Sequence, residues 1–337
     1  MINWGLIGCG NVTEVKSGPA FNRVPGSKLL AVMRRNRSLA EDYARRHNVP
    51  KVYDTASELI NDPEINAVYV ATPPGSHKEY ALQTIEADKP VYIEKPMALN
   101  YGECALINEA AEKKNIPVFV AYYRRTLPGF LKVKELIETG TIGNIRYVNL
   151  RLFKSPSEDE KSENLPWRVI PEISGGGNFF DLASHQLDWL DFVFGPVEKV
   201  KSAVMNHGGF YKAEDYVSAE LMFPNRIVCT GTWCFSMSQS NNCDIIEIFG
   251  EKGNIRFSCF SFEPIILTNV YGTREYVNER PPNVQFYLIG AIVRTLEGSG
   301  ESPSTGITAA RTSRVMDVIV EEYYKGSGCK AQDARLL

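Results

Sequence analysis

At 337 residues with 44% hydrophobic content, the chain exceeds what one hydrophobic core usually supports, so two domains are expected. Lys and Arg total 37 against 40 Asp and Glu, a formal charge of -3, which excludes a bulk attraction to nucleic acid or to an anionic membrane. The opening MINWGLIGCG has neither the charged leader nor the long apolar run of a signal peptide, and no later stretch approaches a membrane span, so a soluble, cytoplasmic protein is expected.

Apolar segments at 2–7, 28–33, 67–71, 91–93 and 118–121 alternate with amphipathic stretches. Strands that are apolar throughout and alternate with helices predict a parallel sheet covered on both faces. Within the stretch 38–47, Leu39, Tyr43 and Ala44 are assigned to one helix face; within 101–114, Ala105, Leu106 and Ala110 are. Asn100 followed by Glu103 fits a capping box at the start of the second of these.

The first strand runs into Gly8-Cys9-Gly10, followed by Asn11 and Val12. Glycine there makes a tight turn and lets the backbone approach a pyrophosphate, so this turn is the candidate dinucleotide site. Thr13 stands where a third small residue is usual, and Gly18-Pro19 predicts that the following helix breaks early. Lys16 and Ser17 then either face the ligand or are ordinary exposed polar residues. The second strand ends in Arg34-Arg35-Asn36-Arg37-Ser38 and lacks the carboxylate that binds the ribose hydroxyls of NAD. A guanidinium pairs with a 2'-phosphate that a carboxylate would repel, so NADP(H) is favoured over NAD(H), with Arg34 as main contact and Arg35 or Ser38 assisting.

Two further strand ends, Thr72-Pro73-Pro74-Gly75-Ser76-His77 and Glu94-Lys95-Pro96, are expected to line the cofactor crevice, because ligands gather at the C-terminal ends of strands in such sheets. Lys95 is costly to desolvate without a partner, and Glu94 should point the other way if the strand alternates. His77 either approaches the nicotinamide side or simply caps its helix with Ser76.

A polar stretch at 154–166 separates a strand at 146–153 from Trp167-Arg168. Gly175-Gly176-Gly177 then opens a segment in which a helix would place Asp181, His185 and Asp188 on one face. Glycines permit close approach of backbone to ligand, which favours a site here. From 197 onward short strands with turn signals at 223–225 and 251–253 predict antiparallel neighbours, and a final amphipathic segment covers 306–324. Trp233 and Phe235 either contact a second subunit or belong to the core. Four histidines (His47, His77, His185, His207) without close His/His or Cys/His spacing predict no metal site. The seven cysteines (Cys9, Cys104, Cys229, Cys234, Cys243, Cys259, Cys329), with no CxxC pair, read as reduced, buried thiols.

Taken together, Gly8-Cys9-Gly10, Glu94-Lys95-Pro96 and Gly175-Gly176-Gly177 through Asp181 to His185 resemble the glucose-fructose oxidoreductase, inositol dehydrogenase and rhizopine-catabolism protein family over essentially the full chain. The resemblance implies an α/β Rossmann domain, assigned to 1–121, and an α+β substrate-binding and oligomerisation domain with a large, mostly antiparallel open sheet, assigned to 122–337, with packing of the final helix back near the domain junction left open. It implies a homodimer or homotetramer and a sugar, inositol or related polyol as substrate. Lys95, Asp181 and His185 match the family's catalytic positions, with Tyr122, Tyr123, Arg124, Arg168 and Asn178 as candidates for the pocket rim. His185 is the expected proton carrier, with Lys95 as its rival in that role. Alternatives are an NAD-dependent glycoside hydrolase of the same fold and a non-catalytic cofactor-binding sensor.

Overall fold

The computed structural model describes residues 1–326; Cys329 lies outside the described residues. The chain forms two compact units. The first comprises Met1–Thr126 and Pro281–Ala310; the second comprises Leu127–Arg280 and the chain from Arg311. A single cut after residue 121 therefore does not describe how the chain divides, because a later segment returns to the first unit.

In the first unit, strands β1 (Ile2–Ile7), β2 (Ser27–Met33), β3 (Lys51–Tyr53), β4 (Ala67–Val70), β5 (Val91–Ile93) and β6 (Val118–Val120) form one sheet of order β3-β2-β1-β4-β5-β6. Every neighbouring pair is parallel, as runs such as Leu29–Met33 and Ala67–Val70, buried on both faces, require. The helices are α1 (Asn11–Val15), α2 (Gly18–Phe21), α3 (Arg37–His47), α4 (Ala56–Asn61), α5 (His77–Glu86) and α6 (Tyr101–Lys114). α1 does end early, and Pro19 falls in the first turn of α2, where its missing N–H costs nothing.

Two helix faces differ in part from the sequence reading. α3 buries Ala40, Tyr43 and Ala44 and leaves Leu39 exposed; α6 buries Cys104, Ile107 and Ala111 and leaves Leu106 exposed. Both buried sets keep the i, i+3, i+4 or i, i+3, i+7 spacing; Tyr43 and Ala44 are buried as read, and Ala110 packs against the core, so the misplaced residues are the two leucines. Asn100 caps α6 by accepting from Glu103 N at 2.9 Å, but the Glu103 carboxylate returns to Leu99 N, one residue earlier than a capping box requires. The reciprocal box is made instead by Thr55 and Glu58 at α4.

The second unit contains α7 (Pro128–Glu138), β7 (Ile145–Phe153), α8 (Pro171–Ser174), a π-helical turn at Phe179–Ala183 running into α9 (Ser184–Phe194), then β8 (Lys199–Met205), β9 (Tyr216–Phe223), β10 (Ile227–Cys234), β11 (Cys243–Gly250), β12 (Gly253–Phe257), β13 (Ile265–Asn269) and β14 (Gly272–Tyr276). Its sheet has the order β14-β13-β12-β11-β7-β10-β9-β8. All pairs are antiparallel except β7 with β10. Val148, Leu150 and Leu152 are buried, while Tyr147, Asn149 and Arg151 on the alternate face retain exposure, the mark of a sheet packed on one side only. Trp233 and Phe235 are core residues: the Trp233 ring meets Phe179 edge-on at 5.2 Å and its Nε1 donates to Gln186 Oε1 at 2.6 Å. The remaining helices are α10 (Phe286–Leu296), in the first unit, and α11 (Gly306–Gly326).

Candidate active site

Strand register places the candidate groups of the first unit. Ile7 pairs with Met33 and Val70, Val70 with Ile93, and Ile93 with Val120, so the five strands end level. The next residues, Gly8, Arg34, Ala71, Glu94 and Ala121, consequently form one row along the C-terminal edge. The chain order reverses at β1, between β2 and β4, and this is the switch point at which such sheets bind ligands.

At that point Gly8 has φ +95°, and a Cβ on it would lie 2.8 Å from Thr72 Cγ2 and 2.9 Å from the Ala71 carbonyl carbon. Gly8 is thus demanded both by its backbone angle and by the neighbouring turn. Gly10 is different: a Cβ there would have only Gly8 O within 4 Å, at 3.9 Å. The space over the turn, beside Asn11 and Val12, is open, which fits a pyrophosphate laid against backbone. Thr13 is buried and its Oγ1 donates to Gly10 O at 2.8 Å, bracing the turn. The tight backbone contact usual for a third glycine falls instead at Gly18, whose Cβ would sit 2.2 Å from Thr13 O. Ser17 is buried and accepts from the Tyr69 hydroxyl, so it faces the core.

Arg34 donates from Nη1 to Cys9 O at 3.1 Å, which lays its guanidinium beside the glycine turn. Arg35 and Ser38 are exposed, and Ser38 Oγ donates to Asn36 Oδ1, the side chain that caps α3. Across the switch point, Thr72 Oγ1 accepts from Ser76 Oγ at 2.8 Å, with Pro73 half-buried beside it.

Lys95 is partly exposed and its backbone N donates to Glu94 Oε2 at 3.2 Å. Glu94 is 6% exposed, and its Oε1 accepts from the Tyr69 hydroxyl and from Gln285 Nε2. His77 is fully buried, with Nε2 2.7 Å from Thr72 O and Nδ1 3.0 Å from Pro96 O; burial pushes its pKa down. From sequence both segments are expected to line the cofactor crevice, with Glu94 pointing the other way and His77 either at the nicotinamide side or capping its helix. In the structure their polar atoms are engaged by the fold, because strand alternation turns Glu94 inward and α5 begins behind the Thr72 turn. Three residues that no motif marks also fasten this unit: Asn283 Nδ2 donates to Val15 O, Gln285 N donates to Lys16 O, and the Tyr92 hydroxyl donates to Gln285 Oε1.

The second unit carries the other candidate groups. Asp181 lies in the π-helical turn that leads into α9, an irregularity that widens the helix and often marks a site. Arg168 approaches Asp181 Oδ2 with its Nε at 3.3 Å, and its guanidinium lies over the Trp167 ring at 4.4 Å. His185, one turn beyond Asp181, is 3% exposed and meets the Phe260 ring edge-on at 6.2 Å. Asp188 is wholly buried, within 3.5 Å of the Thr312 hydroxyl. Asn178 donates from Nδ2 to Glu160 Oε1 at 2.8 Å, so the polar stretch 154–166 contributes a buried carboxylate. In the first unit, Tyr122, Tyr123 and Arg124 are all buried, and the Arg124 guanidinium covers the Tyr123 ring at 4.9 Å.

The glycine run approaches protein. A Cβ on Gly176 would strike the Phe180 ring at 2.1 Å, and one on Gly177 would meet Glu214 O at 2.8 Å and Ala213 Cβ at 2.9 Å. Its small residues therefore let the start of the Asp181 helix press against the β8–β9 connection. Behind it Glu214 is completely buried, accepting from Gly177 N at 2.9 Å and from the Tyr324 hydroxyl. Burial raises its pKa to about 7. No sequence signal marks Glu160 or Glu214, since each stands in a polar stretch that reads as solvated.

Residues 2–122 match the model of an oxidoreductase family with an NAD-binding Rossmann fold, and residues 130–256 match the GFO/IDH/MocA C-terminal domain. An oxidoreductase of Formosa agariphila is 41% identical over 94% of this chain and 98% of its own length. The trans-1,2-dihydrobenzene-1,2-diol dehydrogenase of Sus scrofa is 25% identical over 97% of each chain. Levoglucosan dehydrogenase, solved in complex with NADH, superimposes with a TM-score of 0.87 at 24% identity, covering 96% of this chain and 97% of its own.

Proposed function

Because this chain belongs to the GFO/IDH/MocA family of NAD-binding oxidoreductases, we propose that it transfers a hydride between a nicotinamide dinucleotide and a hydroxyl- or keto-bearing carbon of a sugar, inositol or related small polyol. The observation that carries this reading is the level row of strand ends, which sets the Gly8–Gly10 turn, the Thr72 turn and Lys95 along one edge. When bound, the dinucleotide supplies the hydride donor or acceptor. Gly8, Gly10, Asn11 and Val12 receive its pyrophosphate, and Thr72 and Pro73 border its nicotinamide end. Arg34, assisted by Arg35 and Ser38, takes a 2'-phosphate, so NADP(H) binds more tightly than NAD(H); the NADH found with levoglucosan dehydrogenase is a property of that protein.

His185 moves the proton of the substrate hydroxyl, and Lys95 places positive charge beside the reacting oxygen, where it counters a developing alkoxide. Asp181, oriented by Arg168, holds a neighbouring substrate hydroxyl, with Asn178 and Tyr123 shaping the binding surface. A cytoplasmic location, and a homodimer or homotetramer formed on the open face of the second unit's sheet, complete the proposal.

The test is nicotinamide absorbance with NADP(H) and NAD(H) across aldoses, inositols and keto-sugars in both directions, wild type beside Lys95→Met. Turnover that falls by roughly 100-fold or more in the variant, as expected for removal of a charge aimed at the reacting oxygen, supports the reading. Dinucleotide binding without turnover on the whole panel, or turnover indifferent to Lys95→Met, overturns it.

A further inference from the structure

The ring of His77 is fully buried and reaches two backbone turns at once: Nε2 lies 2.7 Å from Thr72 O and Nδ1 3.0 Å from Pro96 O. One of these turns follows β4 and the other follows β5. The Thr72 turn is itself pressed against the glycine turn, where no Cβ fits on Gly8. The Pro96 carbonyl belongs to the residue directly after Lys95. The His77 ring thereby spans both turns, one nitrogen against each, and a continuous path runs from Gly8 through Thr72 and His77 to the backbone that carries Lys95.

We propose that His77 is a positioning residue for the reaction, holding the Lys95–Pro96 backbone at a fixed distance from the dinucleotide turn so that the Lys95 ammonium stays on the reacting oxygen. The inference rests on the function proposed above but adds a residue that touches neither cofactor nor substrate. Its physical basis is that a carbonyl oxygen only accepts and a neutral imidazole carries one N–H, so the ring donates to one of the two turns while its other edge is packed against the second. The fold supplies the ring from the first residue of α5, a place where it cannot drift because it is packed on all sides. Without the ring, one carbonyl loses its donor, the packed bridge between the turns is gone, and the two turns are free to separate. Displacing a catalytic group by about 1 Å costs on the order of 100-fold in rate.

The experiment compares His77→Leu, which fills the space without a donor, and His77→Gln, which restores an N–H, with wild type. Three quantities are read: dinucleotide affinity by tryptophan fluorescence, kcat and KM, and backbone hydrogen exchange. For His77→Leu we expect kcat to fall by roughly 10- to 100-fold, dinucleotide affinity and KM to stay within about threefold, and the 94–98 segment to exchange faster while β8 and β9 of the second unit stay unchanged. His77→Gln should recover a measurable part of kcat and of the protection. A kcat for His77→Leu within about twofold of wild type, or unchanged exchange at 94–98, overturns the proposal. If wild type itself shows no turnover, the proposed reaction fails, yet exchange at 94–98 still decides whether His77 ties the turns. If His77→Leu loosens the entire first unit, the Gln variant decides: unprotected 94–98 in an otherwise native Gln variant supports no role for the donor and overturns the inference.

Discussion

Glu214→Gln should abolish the pH dependence that one buried carboxyl imposes on the second unit. The wild-type side chain is completely buried, and burial lifts its pKa from an ordinary 4.5 to about 7 against the opposing bonds from Tyr324 and Gly177. A rise of that size corresponds to roughly 3 kcal/mol in favour of the protonated form. Because the folded pKa lies above the unfolded one, the stabilisation is complete below about pH 4.5 and is lost as pH rises through about 7. Glutamine keeps an acceptor for Gly177 N and carries no charge. Urea unfolding of both proteins from about pH 5 to about pH 8 isolates the effect, since every other titrating group is shared. The stability of the variant relative to wild type should increase by about 2–3 kcal/mol across that range. Parallel stability curves would refute the reasoning, and so would a relative stability that falls with pH.

Two further outcomes follow from the geometry. Arg34→Ala should weaken NADPH binding by roughly 10- to 100-fold, the usual worth of a hydrogen bond to a charged group, while NADH affinity stays nearly constant; equal losses for both dinucleotides in calorimetric titration would refute the 2'-phosphate role. Gly177→Ala places a Cβ 2.8 Å from Glu214 O and 2.9 Å from Ala213 Cβ, so it should cost about 1–3 kcal/mol of stability through overpacking. Thermal unfolding measures it, and an unchanged midpoint would show that the β8–β9 connection yields without strain.

Much of the first unit is legible from its sequence because the parallel strands are apolar on both faces and end in turn chemistry. The strands at 2–7, 27–33, 67–70, 91–93 and 118–120 announce themselves as such runs, whereas Lys51–Tyr53 is three residues long, half-buried, and carries no pattern. In the second unit, β14 escapes for the opposite reason: Gly272 to Glu275 are exposed, so no side alternates with a core. Leu39 and Leu106 mislead because leucine outweighs alanine and cysteine in a hydrophobicity count, whereas the helix turns Ala40 and Cys104 inward and leaves both leucines exposed. Lys95, Asp181 and His185 are visible as candidates because each follows a recognisable turn or glycine run. Glu94, His77, Glu160 and Glu214 become intelligible only in three dimensions, since each acts through partners between 5 and 191 residues away.

The return of residues 281–310 to the first unit has a consequence for synthesis. Glu94 and its neighbour Tyr92 are both bonded by Gln285, and the Glu94 bond spans 191 residues. A ribosome adding about 5–20 residues per second leaves that carboxylate without its amide partner for roughly 10–40 s. For most of that interval, once Val118–Val120 has been made, the six-stranded sheet can already pair, but the strand end that presents Lys95 lacks its final support. The nascent chain therefore reaches a sheet before it reaches a finished site, and a fragment stopped at Thr126 would keep permanently the state that the whole protein only passes through.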